Sequence, residues 1–194
     1  MKKFTILVGK SASGKDTILK QIIKISKLKP IVSTTSRPKR DNEQEGVDYY
    51  YISTDEFVNL IEDNAFIEFR KYNTLVNGVK DTWYYGIRKN NKYNERDKYV
   101  VILDFDGARS FINQYSADNC RLCYIFCNDD ERKRRAMKRP NFDEIEWNRR
   151  CEDDNERLSL KKFVEDFRDT ETEIFDNIKP NDYIDIAKDI VSRG

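Results

Sequence analysis

No run of apolar residues in this sequence approaches the roughly 20 needed to cross a bilayer, so a membrane-spanning helix is not expected. The opening MKKF also lacks the apolar core and small-residue cleavage site of a secretory signal, and the expected location is cytoplasmic. Net charge is just as scarce: 36 lysines and arginines face 35 aspartates and glutamates, leaving +1. That balance gives no global attraction to nucleic acid or to an acidic membrane, so neither is an expected partner, and any basic site must be local. Cysteines number four. Cys120, Cys123 and Cys127 in NCRLCYIFC are spaced somewhat like a metal knuckle, but the stretch reads as a strand, which sends Cys120 and Cys123 to opposite faces. Reduced core thiols are the better reading, and Cys151 stands apart. Repeats and low-complexity segments are also absent.

What is plentiful is charge of both signs, 37% of the chain, alongside 12% aromatics. The first suggests a solvated surface with long polar helices, and the second is too rich for a disordered chain. A length of 194 residues fits one domain with a substantial core.

FTILVG is a short apolar run ending in glycine, and in the following TILKQIIKISKL the residues Ile18, Leu19, Ile22, Ile23 and Ile25 recur at helical spacing. Strand, tight loop and helix follow. A second such unit runs from YVVILDF (99–105) through GARSFINQYS to the strand RLCYIFC (121–127). Continuous apolar strands alternating with amphipathic helices predict an α/β fold, a parallel sheet flanked by helices. The intervening YYYI, STDEFVNLIEDN and AFIEFRKYN read as strand, helix and strand, with Ser53 and Glu56 as a capping box, and so as a small inserted α+β lobe. Beyond the last strand of the second unit, DDERKRRAMKRPNFDEIEWNRRCEDDNERL is dominated by charge and is broken by Pro140 and Asn141 into two helical pieces. It reads either as a solvated helix pair or as a basic lid. Leu160, Phe163 and Phe167 form an apolar stripe that suits core packing.

Gly9, Lys10, Ser11, Ala12, Ser13, Gly14 and Lys15 fit the G-x-x-x-x-G-K part of a phosphate loop, in the strand–loop–helix setting that such a loop needs. Glycines let successive N–H groups turn inward to phosphate oxygens, the helix adds its positive end, and lysine adds a point charge. The next position usually carries the hydroxyl that binds Mg²⁺; here it is Asp16, with Thr17 after it. Either Asp16 meets Mg²⁺, directly or through water, or it turns outward and Thr17 supplies the hydroxyl. Downstream, Arg37 and Arg40 lie beside the hydroxyls of Ser33, Thr34 and Thr35, with Tyr49 further on. Two guanidinium forks and a phenol suit a phosphate dianion.

The order of these motifs resembles guanylate kinase. In that family the loop is followed by S-x-T-T-R-x-P-R, G-x-D-Y, F-I-E, Y-G, a strand ending in D-x-D, a lid arginine with a partner in the next helix, and a late N-D. Here they stand as STTSRPKR, GVDYY, FIEF, YYG, LDFD, the pair Arg139 and Arg150, and Asn181-Asp182. The resemblance spans nearly the full chain. It implies a single domain of the P-loop NTPase fold: core segments 1–32 and 99–194, a helical lid at about 129–150, and an acceptor-binding lobe over 33–98.

Carried over residue by residue, the resemblance implies a Mg²⁺-dependent transfer of phosphoryl from ATP to GMP or dGMP by a monomer or homodimer. Gly9, Ser11, Ser13, Gly14, Lys15, Asp16, Thr17, Arg139 and Asn181 would bind ATP. Arg37, Arg40, Tyr49 and Tyr85 would take the acceptor phosphate, Ser33 and Glu68 the base, with Asp106 towards the base. Lys15, Arg37, Asp104, Arg139 and Arg150 would carry catalysis, with Arg149 the competitor for the last place. Glu68 suits guanine because its N1–H and N2–H₂ are adjacent donors that one carboxylate can accept.

Three departures stand against the match. Ile87 follows Tyr85-Gly86 where the family usually has serine or threonine, NTLVNGVKDTW lengthens the loop before Tyr84, and LDFDGARS lacks two residues between the second aspartate and the glycine. Asp16 and Ile87 lean towards a relative, ribose 1,5-bisphosphate phosphokinase, whereas GVDYY and Glu68 lean towards guanylate kinase, since a sugar bisphosphate has no base donors. A non-catalytic guanylate-kinase-like binding module is disfavoured by the intact Lys15, Arg37, Arg40, Arg139 and Arg150.

Overall fold

The apolar run at the start becomes β1 (Phe4–Val8), with all five residues buried. In this computed structural model, which describes residues 2–41, 43–76, 79–89, 93–139 and 142–193, the chain forms two compact units. One comprises Met1–Pro30 with Glu95–Gly194, and the other Ile31–Asn94.

In the first unit β1 lies at the centre of a parallel sheet between β7 (Tyr99–Ile102) and β8 (Cys120–Phe126), with Phe4 opposite both Tyr99 and Cys120. β2 (Lys29–Pro30) and β9 (Glu171–Asp176) form the edges, giving the order β2-β7-β1-β8-β9. Helices cover both faces, which is why the central strands read as unbroken apolar runs. Leu7, Val100, Cys123 and Ile125 pack with Ile18 and Ile22 of α1 (Lys15–Ile25) and with Ile186 and Ile190 of α7 (Asp182–Arg193). Elsewhere in the unit, Phe105 contacts the rings of Tyr124, Phe163 and Phe167, and Tyr124 contacts that of Phe163. Phe105 opens α3 (Phe105–Tyr115), Phe163 lies in α6 (Leu160–Asp166), and Phe167 is its C-cap. Of the predicted stripe, Phe163 and Phe167 are core residues, but Leu160 is 36% exposed.

Cys120, Cys123 and Cys127 are buried, and burial pushes the thiols of Cys120 and Cys123 up to about 12. The charged stretch forms α4 (Asp129–Met137) and α5 (Glu144–Arg157), capped by Asn128 and Asp143. The break ascribed to Pro140 and Asn141 lies outside the described residues. Among the described residues no helix is long and apolar enough to cross a membrane.

The second unit is a four-stranded sheet in the order β4-β3-β6-β5. β3 (Thr34–Thr35) and β4 (Tyr50–Tyr51) are short, while β5 (Phe66–Val76) and β6 (Val79–Arg88) form a long antiparallel ladder. The segment 73–83, expected as a lengthened loop, continues this ladder: Asn73 faces Thr82 and Thr74 faces Asp81. The threonines and valines there favour the pleated strand over a loose loop. Residues 77 and 78 lie outside the described residues. α2 (Thr54–Glu62) begins with both halves of the Ser53–Glu56 capping box and buries Phe57, whose ring stacks 4.4 Å from Phe66 and 5.4 Å from Tyr84.

Phe57 is therefore the side chain on which helix and sheet of the smaller unit meet. Phe57→Ala is expected to cost about 3–5 kcal/mol, enough to melt a unit of this size. Urea denaturation, with hydrogen exchange of the α2 and β6 amides, measures it.

Candidate active site

The phosphate loop joins the end of β1 to α1, at the point where the chain's neighbours in the sheet change from β7 to β8, the switch point at which open α/β sheets bind ligands. Two glycines make its path possible. Gly9 has φ 143° and Gly14 φ 99°, and a Cβ on either would meet Ile125 O at 2.5 Å or Asn177 Nδ2 at 2.3 Å. Gly14 is the N-cap of α1 and provides no side-chain cap, so the first-turn N–H groups of Lys15, Asp16 and Thr17 have no partner within the helix. That is an anion-binding end. Lys15 folds back over the loop, donating to Gly9 O at 2.7 Å and Lys10 O at 2.9 Å. Part of the residue remains accessible, but enclosure of its ammonium lowers its pKa, an effect opposed by the charges of Asp16 and Asp154 and reinforced by Arg132 and Arg139. Asp16 and Thr17 are exposed. Ser13 Oγ is buried without a hydrogen-bond partner.

The loop is held from outside. Ser11 N–H donates to Asp154 of α5 at 2.7 Å, and Ser11 O accepts from Arg132 of α4 at 2.7 Å. Ser13 O accepts from Asn177 Nδ2 at 2.8 Å and Arg135 at 3.1 Å. Asn177, directly after β9, reaches the loop, and Asn155 accepts from Lys10 Nζ; Asn181, expected to bind ATP, lies exposed before α7 with φ 75°. Sequence reading passed over Asn177, Arg132, Arg135 and Asp154. The only available signal was their polarity within an otherwise ordinary charged run.

Asp104 and Asp106, expected as a pair, are separated in role. Asp104 is buried and caps α3, accepting from Gly107 N–H at 2.8 Å. Asp106, its side chain 55% exposed, accepts from Arg109 and Arg157. Desolvation raises its pKa, but those two guanidinium bonds outweigh it and hold the carboxyl below its usual range. Arg149 and Arg150 both bind Glu146, so the geometry does not favour Arg150 over Arg149. Arg139 is exposed at the end of α4.

The second unit gathers Arg37, Tyr49 and Tyr85. Arg37 lies over the Tyr49 ring at 5.4 Å, and the Tyr49 and Tyr85 rings meet at 5.8 Å. Arg37 is buried; its Nη2 lies 2.7 and 2.9 Å from the two carboxylate oxygens of Glu43, and its Nη1 donates to Pro38 O at 2.8 Å. Tyr51 OH also donates to Glu43, at 2.8 Å. Glu43 and Tyr51 thus belong to the cluster and were missed. The exposed Arg40 lends its backbone N–H to Glu43 and leaves its guanidinium 3.9 Å away. Ser33 is half-buried, its carbonyl accepting from Tyr50. Glu68 is buried and accepts from Arg70 at 3.2 Å. Ile87, opposite Glu68 in the ladder, is fully buried, so its aliphatic side chain serves the core of this unit.

The sequence pattern of the guanylate kinase family matches residues 1–193. The chain belongs to the guanylate kinase family. A guanylate kinase of Mesomycoplasma hyopneumoniae (strain J) is 31% identical, over 83% of each chain. One from Legionella pneumophila (strain Paris) is 30% identical over 69% of this chain and 62% of its own. Among solved structures, the guanylate kinase of Anaplasma phagocytophilum superposes with a TM-score of 0.65 at 22% identity, over 99% of this chain and 85% of that one, a likeness of fold. The P-loop NTPase fold with its mostly parallel sheet is that of the family.

In this guanylate kinase relative, Glu43 carries a pH dependence. Burial raises its pKa, but hydrogen bonds from Arg37, the Arg40 backbone and Tyr51 prevail and hold it down to about 2, against an ordinary 4.5. A carboxyl depressed on folding contributes stability above its unfolded pKa and loses it as pH falls through the folded one. The Glu43 contribution, up to roughly 3 kcal/mol, is expected to be whole above pH 4.5 and to vanish towards pH 2. Glu43→Gln is expected to lose it at neutral pH and to flatten the stability profile across that window, measured by denaturant titration at each pH.

Proposed function

We propose that this chain catalyses transfer of the γ-phosphoryl group of ATP to GMP or dGMP, giving ADP and the nucleoside diphosphate. The observation that carries the reading is the family match across residues 1–193 together with a phosphate loop whose lysine and open helix end are intact. No protein nucleophile is required. An oxygen of the acceptor phosphate bonds to the γ-phosphorus as the bond from that phosphorus to the β-bridging oxygen breaks, and the protein's work is positioning and charge stabilisation. Lys15 and the N–H groups of Lys15, Asp16 and Thr17 would hold the ATP phosphates. Arg139 with Arg149 or Arg150 would offset charge in transfer. Arg37, Arg40, Tyr49 and Tyr85 would hold the acceptor phosphate, with Arg37 exchanging Glu43 for it. Glu68 would accept from guanine N1–H and N2–H₂, oriented by Arg70.

Mg²⁺ is the expected cofactor. Among the described residues no group of three or more histidine, cysteine or acidic side chains is placed to hold a metal. The oxygens of Asp16 and Thr17 suit Mg²⁺, which keeps several waters and takes one or two protein oxygens beside substrate phosphates. Asp16 or Thr17 would hold it, and it would supply charge neutralisation between the terminal phosphates of ATP.

An ADP-release assay with GMP, dGMP, AMP, CMP, UMP and ribose 1,5-bisphosphate tests the activity. GMP and dGMP are expected to be the good acceptors; if both are inert, the reading fails. Glu68→Gln is expected to lower kcat/KM for GMP by roughly 10²-fold, because an amide leaves one guanine donor facing another, with KM for ATP little changed. Equal loss towards both substrates would contradict the base-reading role.

A further inference from the structure

Asp154 has no role in the transfer outlined above, yet it is buried, and most of its contacts are to the phosphate loop. Its Oδ2 accepts from Ser11 N–H at 2.7 Å and from Arg132 Nη2, and its Oδ1 lies 3.3 Å from Ser11 Oγ. Arg132 does not depend on Asp154 for a counter-charge, because its Nη1 also meets Asp129 at 2.7 Å and its guanidinium lies over the Trp147 ring. The Ser11 N–H belongs to the same peptide group as the Lys10 carbonyl. The chain contains no cis peptide bonds among its described residues, so the two ends of that group point in opposite directions. One end meets Asp154, and the other receives Lys15 Nζ at 2.9 Å.

The next peptide is fixed as well, through Ser11 O and Arg132 Nε. Ala12 then adopts φ 60°, a left-handed conformation that a non-glycine residue holds only under constraint. It shares a buried apolar cluster with Ala136 of α4 and Trp147 of α5, against which Phe142 and Cys151 also pack. The same two helices therefore set both the hydrogen bonds and the strained turn of the loop's first half.

We propose that Asp154 is a positioning residue for the nucleotide site: it holds the Lys10–Ser11 peptide so that the Lys10 carbonyl faces Lys15, and so ties ATP affinity to α5. The proposal rests on the reading of the loop as an ATP site. Rotation of that peptide would break the Asp154 bond and withdraw a carbonyl from the Lys15 ammonium together. A carboxylate that served only to neutralise Arg132 would affect folding and leave the two substrates alike.

Three variants separate these possibilities. Asp154→Ala removes the acceptor and is expected to raise Kd and KM for ATP by about 10-fold or more, the cost of one charge-assisted hydrogen bond, with KM for GMP within about twofold. Asp154→Asn keeps an oxygen for Ser11 N–H and is expected to stay near the unaltered enzyme. Because Asp154→Ala takes one of two carboxylates from the buried Arg132, the double variant R132M/D154L replaces the buried pair by apolar side chains, an exchange that commonly preserves stability. It is expected to melt like the unaltered protein yet bind ATP at least as weakly as Asp154→Ala, since the Arg132 bond to Ser11 O goes as well. Unaltered ATP affinity in that double variant, or equal losses towards ATP and GMP in Asp154→Ala, would overturn the proposal. Fluorescence titration of the unaltered protein with ATP, run without GMP, comes first: absence of binding overturns the ATP reading itself, whereas normal binding with an insensitive Asp154→Ala overturns only the role of Asp154.

Discussion

A phosphate loop has to present several backbone N–H groups to one anion, and a backbone arranged that way bonds little to itself: within residues 9–15 Ser13 N–H donates to Lys10 O at 3.2 Å. Everything around residues 9–15 answers that constraint. Three of these residues, Gly9, Ala12 and Gly14, sit at positive φ, and only two are glycines. The shape is imposed by neighbours: β8 approaches at Ile125, Asn177 and Arg135 hold Ser13, and Arg132 with Asp154 holds Ser11. Holding the donors in place beforehand makes the site effective, because groups already oriented have no reorganisation left to undergo when charge develops.

The same economy governs the cations. A cluster of arginines with no anion among them would repel itself and loosen. Arg37 is bound to Glu43, Arg149 and Arg150 are bound to Glu146, and Arg109 and Arg157 share Asp106. Glu43 and Glu146 are each held down to about 2, burial opposing and the guanidinium bonds prevailing. Such pairs hold the forks in place. A phosphate dianion carries more charge and more acceptor oxygens than a carboxylate, so it competes well for a fork that is already aimed. Near-zero net charge then sits comfortably with a chain that handles polyanions, since the positive field is confined to chosen places.

The parts legible in the sequence were those with a local signature. β1, the loop, α1 and the Ser53–Glu56 capping box follow from residues within a few positions of one another. The central strands β7 and β8 could be read from unbroken apolar runs. β2, β3 and β4 contain two residues each and have no period to detect. The segment 73–83 reads in the sequence as a lengthened loop from its departure from the family pattern, whereas 73–76 and 79–83 pair as strands. The site residues divided in the same way. Lys15 and Arg37 stand in recognisable strings, but Asp154 meets Ser11 across 143 positions and Asn177 meets Ser13 across 164. Nothing near either residue distinguishes it from the other polar residues of its segment, and only the folded chain selects it.

Asp16, the acid in the loop that first looked out of place, is best understood through its neighbour. Burial acts on Lys15 to favour loss of its proton, and Arg132 and Arg139 push the same way, while Asp16 is the strongest influence in the opposite direction. A lysine meant to meet phosphate has to remain an ammonium ion. The usual hydroxyl at that position carries no charge and gives no such help, whereas a carboxylate one residue away does, and it gains from the positive end of α1 as well. Being exposed, Asp16 makes this contribution without closing the N–H groups behind it. The acid therefore stands beside a lysine that carbonyls enclose and whose pKa Arg132 and Arg139 lower, and its charge acts to favour the ammonium form.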